Sequence, residues 1–137
     1  AFLFWNWNPA KIFLGDVGSI VLGFICILSL YWLYLDKETW HWALSLPMYY
    51  ILDTSLTLIK RLLQRKKIWL AHKEHFYQKV VQSGMGHGKV VKLIIALQIS
   101  IILTCYILEN PYLIVFLSFL ESLGLIIYFS SKYKKST

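Results

Sequence analysis

The stretch Val17-Gly18-Ser19-Ile20-Val21-Leu22-Gly23-Phe24-Ile25-Cys26-Ile27-Leu28-Ser29-Leu30-Tyr31-Trp32-Leu33-Tyr34-Leu35 runs without a charge. A helix needs about 20 mostly apolar residues to cross the hydrocarbon of a bilayer, and this stretch has that length and character. Three more follow. Thr39–Ile59 carries Asp53, Val90–Leu108 is clean after Lys92, and Tyr112–Ser131 contains Glu121. A mid-span acid costs about 2.5–3.5 kcal/mol on the insertion scale, and each Leu or Ile returns about 0.3–0.6. The aliphatic residues of the second stretch roughly cancel Asp53, so that span is expected to lean on its neighbours. The expected fold is all-α: a multi-pass membrane helical bundle of four spans, forming one membrane domain over residues 1–137.

The rest of the composition agrees. Of 137 residues, 58% are hydrophobic and 17% aromatic, and the mean hydropathy is +0.57. Charged residues make up 15%, against about 25% in an ordinary soluble domain. A globule this small cannot bury so much apolar surface, and a disordered chain would lack the aromatic and aliphatic residues. Cys26 and Cys105 sit far apart in apolar runs, with no C-x-x-C, and read as small buried hydrophobes. The chain opens on Ala1-Phe2-Leu3-Phe4-Trp5, which has neither the basic region nor the cleavage site of a signal peptide. It reads as the continuation of a longer polypeptide.

Charge placement predicts the orientation. Of the 14 Lys and Arg residues, Lys60, Arg61, Arg65, Lys66, Lys67, Lys73, Lys79, Lys89 and Lys92 lie in or beside the loop 60–89. Lys132, Lys134 and Lys135 end the chain, Lys11 precedes the first span, and Lys37 alone lies in the short turns. Four alternating crossings put all but Lys37 on one side, which the positive-inside rule assigns to the cytoplasm. Trp40, Trp42 and Trp69 suit interfacial anchors. Lys60–Lys67 is expected to continue the second helix out of the bilayer, and Gly84, Gly86 and Gly88 to break helix near His87.

Two motifs on the inner side could carry chemistry. In Gly15-Asp16-Val17-Gly18-Ser19 the glycines clear space around one carboxylate, so a phosphate or its metal could approach the backbone. The N-terminus of a helix starting there favours an anion. Asp16 as a simple N-cap, with Gly18 as a packing residue, explains the same string. In His72-Lys73-Glu74-His75-Phe76-Tyr77-Gln78, followed by Gly84-Met85-Gly86-His87-Gly88, basic residues and imidazoles suit a phosphate-rich ligand. A polybasic segment resting on anionic lipid is the bland alternative. His72 and His75 have zinc-pair spacing, but no Cys or second carboxylate completes a set.

Intramembrane acids are functional candidates. Asp53, Thr57 and Arg61 share a helix face at i, i+4 and i+8, which brings Asp53 near the inner mouth. Glu121 shows no partner in the sequence, and His41 beside Trp40 reads as structural. Nucleic acid is excluded as a partner, because the basic residues crowd the rim where the positive-inside rule requires them and no binding signature occurs.

Taken together, Pro9-Ala10-Lys11-Ile12-Phe13-Leu14-Gly15-Asp16-Val17-Gly18-Ser19 and Leu22-Gly23-Phe24 closely resemble the F-M-G-D-x-G-S-x-x-L-G-F signature of the polyprenyl-phosphate sugar-1-phosphate transferases, glycosyltransferase family 4. Asp53-Thr54, Thr57-Leu58, Arg61 and Ala71–Gln78 resemble the later cytoplasmic loop of that family's O-antigen and N-acetylhexosamine branch. The resemblance covers essentially the whole chain but only the C-terminal part of the family fold.

It implies transfer of a sugar 1-phosphate from a UDP-sugar to undecaprenyl phosphate, with release of UMP and Mg²⁺ as cofactor. Asp16 matches the catalytic or metal-binding aspartate, and His75 the first His of the R-x-H-x-H-H loop. Lys73 takes the Arg position, while Tyr77 and Gln78 replace the two later His, which suggests a sugar other than the muramoyl-pentapeptide. The expected substrate-binding set is Lys11, Gly15, Gly18, Ser19, Arg61, His72, Lys73 and His87. Asp16 and Glu74 are the only acids expected to be available inside. The family's paired aspartates and its N-x-x-N-x-x-D-G element do not occur here and are expected before Ala1, in a missing N-terminal half. The chain alone is therefore expected to turn over no substrate. Two other possibilities are a non-catalytic remnant or assembly subunit of that family, and an unrelated small transporter using Asp53 and Glu121.

Overall fold

The computed structural model describes residues 2–7, 10–70 and 72–134, so Ala1, Asn8, Pro9, Ala71, Lys135, Ser136 and Thr137 lie outside the described residues. Among the described residues every regular element is a helix. A short α1 (Phe2–Asn6) precedes α2 (Gly15–Leu35), which at about 1.5 Å per residue is about 31 Å long, the thickness of a hydrocarbon core. No residue of α2 is buried, and its apolar side chains point in every direction. A helix apolar all round belongs in lipid or against another apolar surface. Cys26 is exposed on it, contrary to the expectation of burial, because nothing packs on that face; Cys105 is buried as expected.

Asp36 ends α2 and organises the turn, its carboxylate accepting from the Glu38 N–H at 3.1 Å and the Thr39 hydroxyl at 3.2 Å. The second apolar stretch is not one helix. It forms α3 (Trp40–Ser45) and α4 (Met48–Leu63), separated at Pro47, which has no N–H to give and whose ring crowds the preceding turn. Pro47 was the signal for this break. The two helices still run from one end of the bundle to the other. Trp40 packs edge-on against Tyr112 at 5.7 Å, beside both short turns, while Arg61 at the far end bonds the long loop.

α4 has an inverted amphipathicity: Tyr49, Asp53, Thr57 and Arg61 are buried along one face, while Ile51, Ile59, Leu62 and Leu63 are exposed. Polar groups inside and aliphatic ones outside suit a lipid surround. The shared face of Asp53, Thr57 and Arg61 is as expected, but the helix stops at Leu63 instead of continuing to Lys67. Arg65 adopts φ +55°, the Arg65 N–H bonds Leu62 O and the Lys66 N–H bonds Arg61 O. This is a Schellman cap with arginine where glycine is usual.

After the loop comes α5 (Phe76–Gln82), closed by the same motif with Gly84 at φ +100°. α6 (His87–Ile107) starts at His87 itself, so Gly84 and Gly86 separate the helices, while Gly88 sits in the first turn of α6. α7 (Pro111–Lys134) pairs with it through a tight turn, in which the Asn110 carboxamide accepts from the N–H groups of Tyr112 and Leu113, with Pro111 at the first helical position. α7 is the hub, packed by α3, α4, α5 and α6 around Tyr49, Val80, Ile101, Ile114 and Phe129. Glu121 does have a partner: the Thr104 hydroxyl donates to its Oε1 at 3.0 Å. α2, α6 and α7 are each long and apolar enough to cross a membrane, and the chain is a multi-pass membrane protein built as a helical bundle.

Candidate functional site

The long loop closes over the inner end of α4, and buried side chains hold it there. Arg61 is buried and donates from Nη1 to Glu74 Oε1 at 2.7 Å and from Nη2 to Lys67 O at 2.7 Å. Lys66 reaches the same Glu74 oxygen at 3.0 Å. Glu74 is thereby held below the usual carboxylate range, chiefly by the hydrogen bond from Lys66, with Arg61 adding to it. Lys79, on α5, is pushed below the usual ammonium range by burial and by neighbouring Lys60. Arg61, Lys66 and Lys79 thus act on a single glutamate, with Lys60 beside Lys79, leaving a surplus of positive charge.

Deeper in, Asp53 bridges α4 to the start of α5. Its Oδ1 accepts the Phe76 N–H at 2.8 Å, and its Oδ2 lies 3.3 Å from His75 Nδ1. The N-cap residue His75 makes no side-chain cap bond, and the distant Asp53 satisfies the first free N–H of that helix. Asp53 is 2% exposed. His72 stacks on His75 at 5.1 Å and Tyr77 stacks on it at 5.8 Å. Burial, with help from Arg61 and His75, lowers the His72 imidazole, and burial followed by the Asp53 charge raises the Tyr77 hydroxyl.

Of the expected site residues, this cluster unites His72, His75 and Arg61. Arg61 is turned inward and spends its guanidinium on the loop. Lys73 is exposed, contributing only its carbonyl to Gln82 Nε2 at 3.1 Å, and His87 is exposed at the start of α6. The G-D-x-G-S residues stand on α2. Gly15 takes φ +63°, where the helix begins, so Asp16 lies in the first turn and is not the N-cap. Ser19 donates to the Asp16 carbonyl at 3.2 Å, Gly18 faces Leu14, and Lys11 lies over the Trp5 ring at 5.8 Å. No hydrogen bond or ion pair joins Asp16 to the loop cluster among the described residues. Sequence reading missed the pairing of Asp53 with His75, for which the polar face of α4 was the available signal.

A Mg²⁺ site can be tested on the same residues. Among those described, no group of three His, Cys, Asp or Glu side chains is placed to hold a metal. Mg²⁺ usually takes one or two carboxylates with phosphate and water. Asp16 is exposed and alone, and Glu74 is engaged by Arg61 and Lys66. The described residues do not by themselves make the site.

Comparison with known proteins adds a separate line of observation. The family described as Glycosyl transferase family 4 matches residues 1–34. A Bacillus subtilis (strain 168) protein, "Probable undecaprenyl-phosphate N-acetylglucosaminyl 1-phosphate transferase", is 38% identical over 98 residues, 68% of this chain. The chain spans 27% of the length of that relative. No solved structure matches.

Proposed function

The chain belongs to glycosyl transferase family 4, and from that premise we propose that its protein transfers a sugar 1-phosphate, from an N-acetylhexosamine UDP-sugar, to undecaprenyl phosphate and releases UMP. The reaction serves cell-envelope polysaccharide or peptidoglycan precursor synthesis, at the cytoplasmic face of the bacterial inner membrane. The observation that carries this reading is the cationic cluster around Glu74 beside His75, at the loop end of an otherwise apolar bundle.

Exchange between two phosphates gathers several anionic oxygens in one place, so catalysis consists mostly of positioning and charge neutralisation. Lys60, Lys66 and Lys79 supply that charge where a lipid headgroup would meet a soluble nucleotide, and His72 adds a neutral ring nitrogen beside them. His75 is the residue of this chain proposed to touch a reacting phosphate oxygen and hold or move its proton. Asp16 lies at the head of α2, about 30 Å along the helix from Asp36. It is proposed to face the same inner surface and to contribute one carboxylate. Mg²⁺ is proposed as the cofactor, with its ligands other than Asp16 supplied from outside these 137 residues. The chain alone is proposed to be inactive, completed by an N-terminal half.

The test is UMP release from UDP-N-acetylglucosamine and undecaprenyl phosphate, in membranes expressing the whole gene product. Turnover that His75→Ala reduces by about 10²-fold or more, the lower end of acid–base contributions, supports the reading. Full turnover in His75→Ala, or UMP release by the purified 137-residue chain, contradicts the corresponding part of it.

A further inference from the structure

We propose that Asp53 is a positioning residue for His75, locking the imidazole with its proton on Nδ1 and leaving Nε2 as the ring position open to a ligand. The proposal rests on the transferase reading only for the identity of what meets Nε2.

The ring is held by one carboxylate contact and two ring contacts. Asp53 Oδ2 stands 3.3 Å from Nδ1. His72 and Tyr77 stack nearly parallel to the ring, with interplanar angles of 28° and 23°. The next backbone group is pinned as well, since the Phe76 N–H bonds the other oxygen of the same carboxylate. Nδ1 is out of solvent, yet the His75 side chain keeps 22% exposure, and Nε2 is its remaining polar atom.

The chemistry selects the tautomer. An ionised carboxylate only accepts hydrogen bonds, so the proton between Asp53 and His75 belongs to Nδ1. The partner of one ring nitrogen decides which form the other takes. At 3.3 Å the Nδ1–Oδ2 contact does not meet hydrogen-bond geometry, and catalytic contacts are often long or poorly aligned without substrate. One carboxylate therefore does two things. It starts α5, and it aims the imidazole that precedes it.

Asp53→Asn separates these roles. The amide oxygen can still accept the Phe76 N–H, while the amide NH₂ now faces Nδ1 and donates to it, driving the ring proton to Nε2. The experiment is two-bond ¹H–¹⁵N correlation on the ¹⁵N-histidine-labelled 137-residue chain in lipid nanodiscs, at alkaline pH where the imidazole is neutral. The His75 signals are assigned by their loss in His75→Gln. The expected result is an Nδ1–H ring in the unaltered chain and an Nε2–H ring in Asp53→Asn, with the same circular dichroism. An Nε2–H ring in the unaltered chain, or the same tautomer in both, overturns the proposal. Should Asp53→Asn not fold, the tautomer of the unaltered chain decides alone. No substrate enters this measurement, so its outcome is independent of the UMP assay.

Discussion

Glu74 Oε1 is shared by Arg61 at 2.7 Å and Lys66 at 3.0 Å, and this pair of bonds fastens the loop to the end of α4. One partner is buried, so the contact differs from a solvent-exposed pair, whose contribution is usually small. Removing the carboxylate leaves the Arg61 guanidinium inside without its anion. Glu74→Gln is expected to raise amide hydrogen exchange over residues 66–76 while leaving α6 and α7 protected. Unchanged exchange in the loop would count against the latch.

The same contact sets a pH dependence. Glu74 titrates below its ordinary value when folded. Its contribution is therefore fully present above the unfolded carboxylate value and disappears as pH falls through the folded one. Loop protection is expected to hold from neutral pH down to the carboxylate range and then decline. In Glu74→Gln that decline is expected to be absent, and an identical acid profile in both chains would contradict the assignment.

Asp53 should show its two roles separately. Asp53→Ala removes the acceptor of the Phe76 N–H and is expected to cost about 1 kcal/mol, as loss of a helix cap does. Asp53→Asn is expected to keep that stability yet lower kcat of the whole enzyme by about 10²–10⁴-fold with little change in KM. Unfolding midpoints and the UMP assay distinguish the two.

Arg65 and Gly84 occupy equivalent left-handed positions in the caps of α4 and α5. Arg65→Gly is expected to stabilise the chain by about 1 kcal/mol, since only glycine avoids the steric cost of that conformation. Gly84→Ala is expected to cost a similar amount. Denaturant midpoints of opposite shift would bear this out, and equal shifts would not.

The Thr104–Glu121 bond joins α6 to α7 inside the bundle. Interhelical hydrogen bonds in membrane proteins couple by about 0.6 kcal/mol on average. A double-mutant cycle of Thr104→Val and Glu121→Leu, each of which removes one partner of the bond, is expected to return a coupling of that order, and zero coupling would leave Glu121 without its assigned partner.

What could be read in advance depended on how local the cause was. The unbroken apolar run of α2, the turn at Asn110-Pro111 and the Asp53/Thr57/Arg61 face all follow from neighbours within two helical turns. Pro47 was equally local, but hydropathy summed over Thr39–Ile59 hid it. The end of α4 was not legible, because a Schellman cap closed by Arg65 carries no glycine to announce it. Asp53 with His75, Arg61 with Glu74, and Glu121 with Thr104 are tertiary pairings across loops or between helices. A single chain of letters shows that such residues need partners without saying which.

The central claim is that the carboxylate of Asp16 and the imidazole of His75 face one cavity on one side of the bilayer. Spin labels at Val17→Cys and Lys73→Cys, both exposed positions beside those residues, test it directly once Cys26 and Cys105 are replaced by serine. Double electron–electron resonance in nanodiscs is expected to give a distance below about 25 Å, less than the roughly 30 Å hydrocarbon thickness. A narrow distribution well beyond that thickness would place the two groups on opposite faces and contradict the proposed site.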